Sequence, residues 1–139
     1  MPLLTRWVIK ASFVCLGIGL ALGILLAGQS LWRLPTFLSA LFPGYIHLLT
    51  VGWLTLLIFG VAYWMFPKYS MEHPHGNEAL NWSAYLLLNI GLVIRIVCEP
   101  ISSQTNGAPW GWLLVFSALL QWLGGLAFII SLWKRVKVK

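Results

Sequence analysis

Few side chains in this 139-residue sequence are equipped for chemistry, and two of them, His47 and Arg95, stand inside apolar runs. An ionisable group in hydrocarbon is costly, so inside a membrane it marks a functional site by default. Neutral imidazole is a common ligand of heme iron, zinc and copper. A guanidinium grips a carboxylate through paired hydrogen bonds. His47 falls about one helical turn in from the outer end of the second apolar run. Arg95 falls about one turn from the outer end of the third, so the two are expected at similar depth on the same side. A metal held by His47, with the Arg95 guanidinium on a nearby carboxylate such as a heme propionate, is chemistry this pairing allows.

Each residue also has a plainer reading. A single intramembrane His can simply hydrogen-bond across helices. Arg95 has a local partner in Glu99, one turn later. His73 and His75 lie in Glu72-His73-Pro74-His75-Gly76, a short polar loop that reads as a solvated turn. From His47 to the inner end of its helix is about 20 residues, or about 30 Å, so neither reaches a metal held by His47 of the same chain. Met65 and Met71 are near the same inner face. Cys15 and Cys98 lie far apart in apolar runs without a CxxC partner, and read as small buried hydrophobes. Asn89 and Gln121 are expected to bond between helices. The sequence holds no nucleophile–base pair, no paired intramembrane carboxylates and no CxxCH heme attachment, so acid–base catalysis is poorly supported.

Composition fixes the setting for these residues. Apolar residues make up 60% of the chain and charged residues 9%, against about 25% charged in a soluble domain. The net charge of +6 is spread out, and its one dense cluster, Lys134 to Lys139, follows an apolar run. Such a cluster fits anionic lipid at a helix end and not nucleic acid. Four runs are long enough to span a bilayer, at about 11–28, 42–66, 79–98 and 110–133. Pro43, Pro67, Pro100 and Pro109 sit at their edges, and no run is expected to hold an interior proline. Trp7, Trp32, Trp64, Trp82, Trp110, Trp112 and Trp133 fall near the interfaces, as an aromatic belt does. The 29–41 connection is apolar and suits the outer interface. Arg6, Lys10, Lys68, Lys134, Arg135, Lys137 and Lys139 gather on one side, which predicts cytoplasmic termini. No A-x-A site follows the first run, which therefore reads as a span and not a cleaved signal. The fold class is thus an all-α integral membrane four-helix bundle. A Gly19-Leu20-Ala21-Leu22-Gly23 motif suits close helix approach, within the chain or between subunits.

The stretch Tyr45-Ile46-His47-Leu48-Leu49-Thr50-Val51-Gly52-Trp53-Leu54, continuing to Gly60-Val61-Ala62-Tyr63-Trp64-Met65-Phe66-Pro67, resembles the second helix of the heme-copper oxidase catalytic subunit. The closest flavour is that of C-type oxidases and nitric oxide reductases. Asn89 to Arg95 resembles the following helix more weakly. The resemblance implies that His47 takes the position of a low-spin heme ligand near the periplasmic face. The later His-bearing helices of that subunit, which supply copper ligands and the other heme ligands, have no counterpart in this sequence. What the resemblance implies is a single four-helix arc that does not reduce oxygen or nitric oxide alone.

The expected function is therefore electron transfer or heme or gas sensing in a bacterial inner membrane. The cofactor so implied is a b-type heme ligated by His47, with Arg95 or Arg33 near its propionates. It would be shared between subunits of a homo-oligomer, a dimer or alternatively a trimer, or completed by a larger respiratory complex. A cofactor-free accessory subunit packed against such a complex is the leading alternative. A small transporter fits less well, because no discontinuous helix or internal repeat is visible.

Overall fold

The computed structural model describes residues 2–66, 77–105, 107–133 and 135–136. Its elements are α1 (Leu3–Ala27), a 3₁₀ segment (Thr36–Leu41), α2 (Phe42–His47), a π-helical segment (Leu48–Thr55), α3 (Leu56–Met65), α4 (Glu78–Gln104) and α5 (Ala108–Trp133). Among the described residues, four stretches are long and apolar enough to cross a membrane: Leu3–Ala27, Phe37–Met65, Glu78–Gln104 and Pro109–Trp133. The second span thus strings together the 3₁₀ segment, α2, the π segment and α3. These four spans make the chain a multi-pass membrane protein.

The helices overrun the bounds read from hydropathy. α1 starts at Leu3 and takes in Arg6 and Lys10, which were expected to precede it. Near lipid, backbone groups are best satisfied by continuing the helix, while long cationic side chains still reach water from its end. α4 starts behind Asn77, whose side chain caps it by accepting from the Leu80 N–H, and it continues to Gln104. It therefore contains Pro100, contrary to the expectation of no interior proline. Pro100 lacks the N–H that would bond the Ile96 carbonyl, and its ring crowds that same carbonyl. Past it, the Ser103 and Thr105 hydroxyls donate to the carbonyls of Pro100 and Ile101, both at 2.8 Å. Pro43 and Pro109 fall in the first turns of α2 and α5, where a missing donor is harmless.

α1 lies along the second span, and α4 lies along α5. Two glycines set the latter approach: a Cβ on Gly91 would stand 2.9 Å from the Ser117 carbonyl, and one on Gly124 3.1 Å from the Ala84 carbonyl. The core has two parts. Leu4, Val8, Leu56, Tyr63 and Leu88 fill the end that carries both described chain ends, and Cys15, Leu48 and Leu92 fill the other half. Cys15 and Cys98 are free, buried thiols, as expected of small hydrophobes. The Gly19–Gly23 motif is used within the chain, with Gly19 against Leu49 and Gly23 against Tyr45. Trp7, Trp32, Trp64, Trp112 and Trp133 are exposed, and the outward apolar faces of the spans imply contact with lipid.

Candidate functional site at the helix end opposite the termini

His47 closes α2, and its ring is fixed locally. Its Nδ1 lies 2.9 Å from the Pro43 carbonyl oxygen. A carbonyl only accepts, so Nδ1 carries a proton, and in the neutral form of the ring the lone pair is then on Nε2. This is the tautomer a metal-binding His adopts when its other nitrogen is held by a backbone carbonyl. The residue is half-buried, and no partner for Nε2 occurs among the described residues.

The backbone changes character directly after His47. Residues Leu48–Thr55 are π-helical, a form usually confined to single turns and concentrated near functional sites. The Thr50 hydroxyl donates to the Ile46 carbonyl and the Thr55 hydroxyl to the Thr50 carbonyl, each at 2.8 Å. Gly52 sits mid-segment where α1 and α4 both close in. A Cβ there would meet Leu92 Cδ2 at 2.8 Å and Cys15 Cβ at 2.9 Å.

α4 brings Arg95 and Glu99 to the same level. Gly91 meets α5 through Ser117 and Gln121, while Ile96 and Glu99 meet Gly44 of α2. Arg95, one turn past Gly91, therefore lies on the flank of α4 between its α5 and α2 contacts. Its Nε donates to Glu99 Oε1 at 3.0 Å, the local pairing the sequence suggested. Glu99 is nine-tenths buried, and its Oε2 has no hydrogen-bond partner. Gly44 is three residues before His47, so helical spacing puts imidazole and ion pair on neighbouring faces of one helix contact. Arg33 is elsewhere, in the reversal between α1 and the 3₁₀ segment, at a left-handed φ of 50°. It lines a groove with Leu26, Gln29, Ser30 and Leu34, on the α1 side of the second span. His73 and His75 lie outside the described residues, as do Lys68 and Met71. No group of three or more His, Cys, Asp or Glu side chains suited to a bare metal ion occurs among the described residues.

Among the described residues, two serines that the sequence did not single out bond between helices. Asn89 donates to the Tyr85 carbonyl of its own helix at 2.8 Å, and Gln121 reaches Ser117 of its own helix at 3.4 Å. The expected inter-helix role passes instead to Ser117, which donates to the Gly91 carbonyl at 2.7 Å, and to Ser131, which donates to Asn81. A short hydroxyl fits a close helix crossing, whereas a longer amide finds a carbonyl of its own helix first. Arg135, just past α5, is almost fully buried and ties that end to the second span. Its Nη2 donates to the carbonyls of Phe66 at 2.8 Å and Tyr63 at 3.2 Å, and its guanidinium lies 5.4 Å from the Tyr63 ring centre. Burial lowers the Arg135 pKa, against an opposing pull from Tyr63, but a guanidinium starts so far above neutrality that it stays charged.

Comparison with protein families, with curated proteins and with solved structures gives no match.

Proposed function

We propose that this protein binds b-type heme through His47 and serves in electron transfer or heme or gas sensing. The observation that carries the reading is the Nδ1–H bond to the Pro43 carbonyl, which leaves the Nε2 lone pair available inside a membrane span. A heme brings its iron within the porphyrin, so it asks each chain for one imidazole and not for a multi-residue metal cage. The group would supply one-electron chemistry. Arg95 is the arginine favoured for a propionate, since its ion-pair partner Glu99 meets Gly44 in the helix that His47 closes, while Arg33 lines a separate groove. The resemblance of Tyr45 to Pro67 to an oxidase helix supports the same assignment.

A low-spin heme uses two strong axial ligands, and the described residues offer one His, His47. A second His47 from a symmetry mate completes the pair most simply, because closed two-fold symmetry dominates among oligomers. A trimer or a larger respiratory complex are the competing arrangements. The basic residues at the terminal end favour cytoplasmic termini and a bacterial inner membrane. The local Arg95–Glu99 pair, which gives Arg95 a partner without any ligand, favours a second reading, a cofactor-free accessory subunit. One experiment separates the two. Protein purified from heme-replete cells is expected to show a Soret band that His47→Ala abolishes and that His73→Ala and His75→Ala preserve. A colourless wild-type protein would leave the accessory subunit.

A further inference from the structure

A groove runs beside the reversal between α1 and the 3₁₀ segment, starting where α1 meets the second span. Its larger lobe, about 620 Å³, is lined mainly by Leu26, Ala27, Phe42 and Tyr45, with Gln29 and Ser39. A second lobe, about 420 Å³, shares Leu26 and Gln29 and adds Ser30, Arg33 and Leu34. Polarity thus rises along the groove, from apolar side chains beside the spans to a cation beyond them. Between Lys10 and Lys68, Arg33 is the only Lys, Arg, Asp or Glu in the sequence. It has no acidic partner among the described residues, whereas Arg95 of α4 is neutralised by Glu99. The Arg33 backbone is held at the left-handed φ of 50°, and Gln29 braces the same reversal by donating to the Pro35 carbonyl at 3.2 Å.

We propose that this groove is a binding site for one anionic phospholipid. The phosphate sits on the Arg33 guanidinium, which matches its paired oxygens, with the Ser30 hydroxyl as a second donor. The acyl chains run along Leu26, Ala27 and Phe42 toward the bilayer. Two features select this occupant. The order of polarity along the groove is that of a lipid standing at an interface, and the uncompensated cation selects an anionic headgroup over a zwitterionic one. The site lies on the α1 side of the second span, away from the α4 contact beside His47, so it stands whether or not heme binds.

The test uses the purified full chain in detergent, titrated with phosphatidylglycerol or with phosphatidylcholine of identical acyl chains and read by native mass spectrometry. The wild type is expected to retain phosphatidylglycerol about fivefold better, the contribution of about one cation near a membrane surface. Arg33→Lys should keep most of that preference, Arg33→Gln should remove it, and Arg6→Gln at the other end should leave it unchanged. Equal retention of the two lipids by the wild type overturns the site. So does a preference that survives Arg33→Gln, or one lost equally in Arg6→Gln. Displacement of phosphatidylglycerol by an equal concentration of glycerol 3-phosphate assigns the groove to a free phosphate and overturns the lipid.

Discussion

At the scale of single residues, two of the described charges are held by partners, Arg95 by Glu99 and Arg135 by backbone carbonyls at the end of α3. Arg95 and Glu99 neutralise one another at about the depth of His47, yet Glu99 Oε2 is left without a donor. If Arg95 also holds a propionate, Arg95→Leu lowers heme occupancy or shifts the reduction potential, and Glu99→Gln does less. Equal structural loss from both variants with heme unaffected would mark a purely structural pair. Heme content and redox titration of the two proteins read the difference. Arg135 acts at the opposite end as a cap supplied from outside the helix it caps, since α3 ends with the carbonyls of Tyr63 and Phe66 facing it. Removing a charged donor from carbonyls that are largely buried costs about 1.5–3 kcal/mol. Arg135→Gln should therefore destabilise the bundle by about that amount in mixed-micelle unfolding, with Arg135→Lys losing less.

At the scale of elements, the α4–α5 pair rests on close backbone approach. Gly91→Ala would press a methyl to 2.9 Å from the Ser117 carbonyl and 2.8 Å from Gln121 Cγ. Overpacking of that kind costs about 1–3 kcal/mol. Gly111 has nothing within 4 Å, so Gly111→Ala should be neutral or stabilising by up to about 1 kcal/mol, as alanine outranks glycine in a helix. Unfolding the two variants side by side checks the contrast. The existence of the four spans was legible in the sequence because hydropathy reports length and composition directly. Their ends were not, because the charges of Arg6 and Lys10 and the proline at 100 look like boundaries while the helix simply continues through them. The π segment was invisible for a different reason. Its middle residue Gly52 takes Cys15 and Leu92 from two neighbours at once, and nothing local in Leu48–Thr55 announces those neighbours. The Arg95–Glu99 pair was legible because it is a spacing within one helix. The Pro43 carbonyl that fixes His47 was available by the same i, i+4 rule but carries no distinctive residue type. The Ser117 and Arg135 bonds span 26 and 69–72 residues and could not be read from local pattern.

At the scale of the whole molecule, α1, the second span, α4 and α5 gather both described chain ends at one end of the bundle, where Leu4, Tyr63 and Arg135 meet. Tags fused at either terminus should report the cytoplasm, and a tag inserted at 105–107 should report the periplasm. A cytoplasmic signal from that loop would invert the orientation and remove the periplasmic placement of His47. The central claim is a heme held by His47 and shared between chains. Its most direct measurement is the heme-to-polypeptide ratio of the purified oligomer, taken by pyridine hemochrome assay and quantitative amino-acid analysis with its mass determined by light scattering. The account predicts a dimer carrying about one heme per two chains, with both heme and dimer lost in His47→Ala. A monomer with one fully occupied bis-histidine heme per chain, or a wild-type protein with no heme at all, would contradict it.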